Sequence, residues 1–167
     1  MDAPKYAADR AEWAFSLSPA GRAAITDHIG RGGAVLAVHT ATICFDDWPA
    51  WGDIVGARWV WGTSGHPDLG PVRVSVRTGT HDIVAGASDF DTVDEVYARM
   101  DVRPDVTALA TGRWEGEDHP LLWARTVGPA GARVVYDALG HDERSYDQPV
   151  NRRILGQAAR WLKEGGA

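Results

Sequence analysis

The sequence predicts one layered α/β domain, and three observations predict it. Ala34-Val35-Leu36-Ala37-Val38 and residues 133–139 are apolar runs of strand length, the pattern of parallel strands covered on both faces. Segments of helical period stand before the first run and after the second. No linker, internal repeat or low-complexity tract divides the chain. Helices interleaved with buried strands stack as layers, and such sheets bind ligands at the carboxyl ends of their strands.

Residues 1–17 mix Pro4, charges and aromatics without a period, and are expected to form a loosely held arm ahead of a domain spanning residues 18–167. Ser18 followed by Pro19 starts a helix: Ser caps the free amides of the first turn and Pro tolerates the first helical position. Ala24, Ile25, His28 and Ile29 share one face of that helix before Gly30 stops it. Arg31-Gly32-Gly33 turns into the first strand, which His39 ends. After a connection over residues 40–45, Asp46 or Asp47 is expected to cap a short helix with Pro49 near its start. Trp48, Trp51, Ile54 and Val55 supply its apolar side and Gly56 closes it.

Val72-Arg73-Val74-Ser75-Val76 alternates strictly, as a strand with one wet face does, and residues 106–110 and 121–124 read as further short strands. Gly128-Pro129-Ala130-Gly131 is a turn joining 121–124 to 133–139 as a hairpin, and Gly140-His141 interrupts the second arm. Ile154, Leu155, Ala158, Ala159 and Leu162 recur at helical spacing, with Pro149 near the start and Gly165-Gly166 at the stop.

A chain of 167 residues buries about two thirds of its unfolded surface around one core. Its single Cys44 cannot form an internal disulfide, and neither a signal segment nor an apolar run of membrane-spanning length is present. The expected location is therefore cytoplasmic, with no membrane partner. Net charge is −6, from 23 acidic and 17 basic side chains without a basic run, a field that repels a phosphate backbone and excludes nucleic acid as a partner. The 8 tryptophans suit either sugar stacking or core packing.

His39 and His141 each follow an apolar strand, which places both at the carboxyl edge. Imidazole serves there as base, acid or metal ligand near neutral pH, and a hydrogen-bonded packing role is the alternative. Gly65 and Pro67 shape a loop around His66, which is either ligand-facing or incidental. Asp94 and Glu95 are adjacent, so on a strand they diverge and one of them can face a shared cleft; a solvated acidic turn is the other possibility.

The stretch Arg31-Gly32-Gly33-Ala34-Val35-Leu36-Ala37-Val38-His39-Thr40-Ala41-Thr42 resembles the Gly-Gly-strand-His-x-Ala signature of ThuA-like (trehalose utilisation) proteins. Asp47-Trp48-Pro49, Trp51-Gly52 and Val55-Gly56-Ala57 look like the family's tryptophan helix, Gly65-His66-Pro67 like its Gly-His-Pro loop, and Asp94-Glu95-Val96-Tyr97 like its Asp-Glu-x-Tyr segment. Ala138-Leu139-Gly140-His141-Asp142 resembles the Leu-Gly-His motif before the closing helix. The resemblance runs from Ser18 to Leu162 in the expected order.

It implies a flavodoxin-like, class I glutamine amidotransferase-like sheet, mostly parallel with an antiparallel hairpin. It also implies a strand-helix-strand unit ahead of Ser18, for which only 17 residues remain, so the first part of the sheet is expected to be missing or completed by another chain in a homo-oligomer. His39 stands where amidotransferases keep a thiol, which argues against glutaminase chemistry, and Cys44 is expected to be a small buried side chain. His141-Asp142-Glu143 preserves a His-x-Glu spacing in which Glu143 either orients His141 or is solvated.

For function, the resemblance implies carbohydrate metabolism, with a small-molecule sugar such as a trehalose-related or 3-keto glycoside as substrate. The expected catalytic residues are His39, His141 and Glu95, with His66, Asp94, Tyr97 and Trp48 in substrate binding. A divalent metal is the main variant, with His39, His66, His141 and Glu95 as candidate ligands. A non-catalytic sugar-binding module, with Trp48, Trp51, Trp59 and Trp61 as platforms, or a degenerate remnant are the rivals.

Overall fold

The computed structural model describes residues 16–165; residues 1–15 of the expected arm lie outside these. Helix α1 (Pro19–Gly30) begins as its sequence dictates, with the Ser18 hydroxyl oxygen accepting from the Gly21 amide at 3.1 Å. Strand β1 (Val35–Val38) leads into a 3-10 turn over His39–Thr42. Helix α2 (Pro49–Val55) closes on Gly56 at φ +95°. Its N-cap is Trp48 with no side-chain cap bond, not Asp46 or Asp47, so proline at the first position sets the start.

The short β2 (Ala57–Arg58) pairs with β5 (Asp101–Val102) as a separate ribbon. The main sheet adds β3 (Gly70–Val76), β4 (Phe90–Asp94), β6 (Thr107–Trp114), β7 (Glu117–Val127) and β8 (Ala132–Asp137), in the order β1-β8-β7-β6-β3-β4. The expectation of a mostly parallel sheet is corrected here. Of the five pairings, β1 with β8 alone is parallel, and the other four are antiparallel. The physical reason lies in the connections: β6, β7 and β8 follow one another through short turns, and a tight turn can join only antiparallel neighbours. The segment read as 121–124 is in fact an 11-residue strand.

The sheet positions the site through its one parallel pair. Register from Val35↔Val134 to Val38↔Asp137 brings both strands to their carboxyl ends together. After β8 come α3 (Glu143–Asp147) and α4 (Pro149–Gly165), whose Asn151, Ile154, Ala158 and Leu162 form a buried stripe at helical spacing. The core is continuous through Trp123, Tyr136, Leu109, Leu121 and Ile154, all essentially inaccessible to water. β1 departs from expectation: it is an edge strand, with Leu36 and Val38 exposed while Ala37 is buried. A continuous apolar run is compatible with burial on both faces, but among the described residues β1 has one strand neighbour, and Leu36 and Val38 are exposed.

Candidate active site at the ends of β1 and β8

His39 is the first residue after β1 and adopts φ +45°, the left-handed region that a β-carbon disfavours. Two bonds from β8 and the residue following it hold this turn. Tyr136 donates its hydroxyl to the His39 carbonyl at 2.7 Å, and the His39 ring donates Nδ1–H to the Ala138 carbonyl at 2.9 Å. Thr42 Oγ1 joins the Tyr136 hydroxyl at 3.1 Å. Burial of the Tyr136 phenol pushes its pKa well above the ordinary value, so it stays protonated as a donor. Because a carbonyl only accepts, Nδ1 carries the proton and the neutral ring keeps its Nε2 lone pair. That lone pair faces the Tyr97 hydroxyl at 3.1 Å.

Glu95 lies just beyond β4 with 9% of its side chain exposed, and three imidazoles converge on it. His66 Nδ1 is 3.2 Å from Oε1, His141 Nδ1 is 3.4 Å from Oε2, and His39 Nε2 is 3.9 Å from Oε2. His66 Nδ1 also donates to the Pro67 carbonyl at 2.9 Å. The rings of His39 and His141 are 5.7 Å apart and perpendicular. His39 is largely covered, whereas the His141 side chain is 41% exposed, so it forms the rim. Donor atoms of His39, Glu95 and His141 all lie within 4.8 Å of one another.

Asp94 and Glu95 do diverge, but both are buried rather than forming a solvated turn. The Asp94 carboxylate turns inward and accepts the amides of Glu95 at 2.8 Å, Gly140 at 2.7 Å and His141 at 3.4 Å. It therefore ties the Glu95 segment to the His141 turn, and with no exposed surface it is not open to a substrate. Gly140 is needed in that turn. Its φ is +123°, and a β-carbon there would run into the Tyr146 ring.

Among the other expected residues, Tyr97 is buried against His39 and His66, with ring centroids at 4.9 and 5.6 Å. Trp48 sits elsewhere, stacked on Trp51 and beneath Arg22 beside α1. Its place near the cluster is taken by Trp59, whose ring lies 6.0 Å from His66 and 5.3 Å from Tyr97. The carboxylate beside His141 is Glu95; Glu143 is an exposed residue of the first turn of α3. Cys44 is surface-exposed rather than buried, yet partial desolvation pushes the thiol pKa up and away from thiolate chemistry.

Asp137 is a residue that sequence reasoning passed over. It ends β8 fully buried, with Oδ1 accepting the Leu139 amide at 3.0 Å. Burial raises its pKa to about 7, with the charge of Asp94 adding to the rise and the Leu139 amide and Asn151 opposing it. A lone carboxylate inside Val134-Val135-Tyr136-Asp137-Ala138-Leu139 was the available signal. Among the described residues no helix is long and apolar enough to cross a membrane.

A family model for trehalose utilisation, ThuA, matches residues 13–162. Among solved structures, a ThuA-like protein from Parabacteroides merdae superposes with a TM-score of 0.74 at 20% identity, over 91% of this chain and 68% of that one. A cytoplasmic protein from Salmonella typhimurium superposes with a TM-score of 0.61 at 12% identity, over 92% of this chain and 64% of that one. The chain thus spans about two thirds of the length of each. No curated protein matches this chain.

Proposed function

Because the chain belongs to the ThuA (trehalose utilisation) family, we propose that it processes a trehalose-related or other 3-keto glycoside by acid–base chemistry, without a thiol nucleophile. Family membership points to carbohydrate metabolism. The observation that carries the finer reading is the convergence of three imidazoles, one with its tautomer fixed, on a single buried carboxylate.

A ketone at C3 acidifies the hydrogen on C2. The His39 Nε2 lone pair takes that proton, and the electron pair moves toward the ketone oxygen as an enediolate. Its collapse forms a C1–C2 double bond and breaks the bond from C1 to the glycosidic oxygen, which leaves with a proton from His141 on the rim. Water then adds across the double bond, its oxygen to C1 and a proton to C2, giving the free 3-keto sugar. The sum is one water consumed and one alcohol released, with no oxidant or reductant. Glu95 stabilises whichever neighbouring imidazole is protonated, and Trp59 offers a ring beside His66 on which a sugar can stack.

The test is incubation with a 3-keto disaccharide in deuterated water. Release of the second sugar is expected, with deuterium appearing at C2 of the 3-keto product, and His39→Ala and His141→Ala should each slow release by about 10²–10⁴-fold. Release that is unaffected by both substitutions would sink the assignment, and binding without release by the wild type would favour a sugar-binding module.

A further inference from the structure

We infer that Nε2 of His39, Oε2 of Glu95 and Nδ1 of His141 bind one divalent transition-metal cation, leaving a coordination position for water or a substrate oxygen. The inference rests on the reading above only for the reaction the ion would serve.

Five observations point to it. Two imidazole nitrogens and a carboxylate oxygen are a donor set suited to zinc and its neighbours in the first transition row. In a tetrahedral site with bonds of about 2.0–2.1 Å, donors stand about 3.4 Å apart. The Glu95 oxygen is 3.4 Å from His141 and 3.9 Å from His39, and all three donors lie within 4.8 Å, so adjustments on the order of an ångström, chiefly of the exposed His141, bring them to an ion.

The surroundings are also arranged as those of a metal site. The bond from His39 Nδ1 to the Ala138 carbonyl fixes the tautomer that frees Nε2, the usual device for orienting a histidine ligand. His66, the fourth candidate ligand, instead takes the other carboxylate oxygen, Oε1, and aligns Glu95 without entering the donor set. Finally, the ion-pair partners of the buried Glu95 are three histidines, with no lysine or arginine among the described residues. No fixed positive charge therefore faces this buried carboxyl group among the described residues, and a divalent cation would supply one.

Occupancy changes how the protein handles its proton. Bound there, the ion would occupy the His39 and His141 nitrogens assigned above to base and acid, and would supply Lewis-acid chemistry and an acidified water in their stead. A His39 Nε2 bound to the ion would no longer accept from the Tyr97 hydroxyl.

The experiment is calorimetric titration of the full chain, stripped with chelator and dialysed, with zinc chloride and with cobalt chloride, the latter followed by its visible absorption. One ion per chain is expected. His141→Ala and Glu95→Gln should weaken binding by 100-fold or more, His66→Ala by about 10-fold as an outer-sphere partner, and His28→Ala not at all. His141 is on the rim, so its variant folds and decides the matter if His39→Ala does not. Absence of stoichiometric binding, or binding undiminished in His141→Ala and Glu95→Gln, would overturn the inference. Turnover of the ketone glycoside that persists in excess chelator would remove the ion from the reaction while leaving the proposed function intact. Stoichiometric binding with no turnover would do the reverse.

Discussion

β1 and β8 lie side by side, parallel and in register, with similar apolar sequences, yet their environments are opposite. Leu36 and Val135 are register partners; Leu36 is 42% exposed and Val135 is 0% exposed. Among the described residues β8 has a strand on either side, whereas β1 has one neighbour and stands at the end of the sheet order. The difference teaches that an apolar run records which surfaces a strand can accept, not which ones it meets. It also shows why His39 is well placed beside a poorly covered strand. The bonds that position it come from Tyr136 and Ala138, on the β8 side, rather than from packing around β1.

The comparison breaks most readily by charge. Val135→Asp buries a carboxylate among apolar side chains and is expected to cost at least about 3 kcal/mol. Leu36→Asp, at the partnered position, should cost less than about 1 kcal/mol. Denaturant midpoints of the two variants test this, and equal losses would mean that β1 is covered in solution.

Next in size is a pH effect specific to the end of β8. The folded-state pKa of Asp137 is about 7, above the value of about 3.9 in an unfolded chain. Between those values the native state holds more protons, so stability falls as pH rises from about 4 to about 7 and then levels off. The stability difference between wild type and Asp137→Asn should therefore drift by a few kcal/mol over that window, on the order expected for a shift of this size. A flat difference would show that Asp137 is ionised throughout.

Smaller again is Tyr136→Phe, which removes the donor to the His39 carbonyl and is expected to cost about 1–2 kcal/mol. Val38→Thr, on the exposed face of β1, should stay within about 0.5 kcal/mol. Comparable losses would contradict the view that β8 alone carries the turn.

Much of this was legible in the sequence because local chemistry decides it. The Ser18-Pro19 start, the glycine stop at Gly56, the hairpin through Gly128 to Gly131 and the closing helix each follow from caps and periods within a few residues. The pairing of His39 with His141 followed from two apolar runs each followed by an imidazole, although β8 itself ends at Asp137. What failed depended on distant parts of the chain. The sheet's mixed direction turns on the length of connections around β6 and β7, and the exposure of β1 on its place at the end of the sheet order among the described residues. Asp94 was placed in the right region with the wrong task, since only the fold reveals that its carboxylate is occupied by three amides. Trp48 and Trp59 have equal standing as rings in the sequence, and only the fold brings Trp59 to His66.

The backbone of His39 carries a consequence for how this protein evolves. A β-branched or other L side chain at φ +45° stores roughly 1–2 kcal/mol that glycine would release. His39→Gly is thus expected to be more stable than His39→Ala by about 1 kcal/mol while equally devoid of an imidazole. Under the proposed function, glycine at this position would exchange the imidazole for a more relaxed backbone, so activity and stability pull this residue in opposite directions.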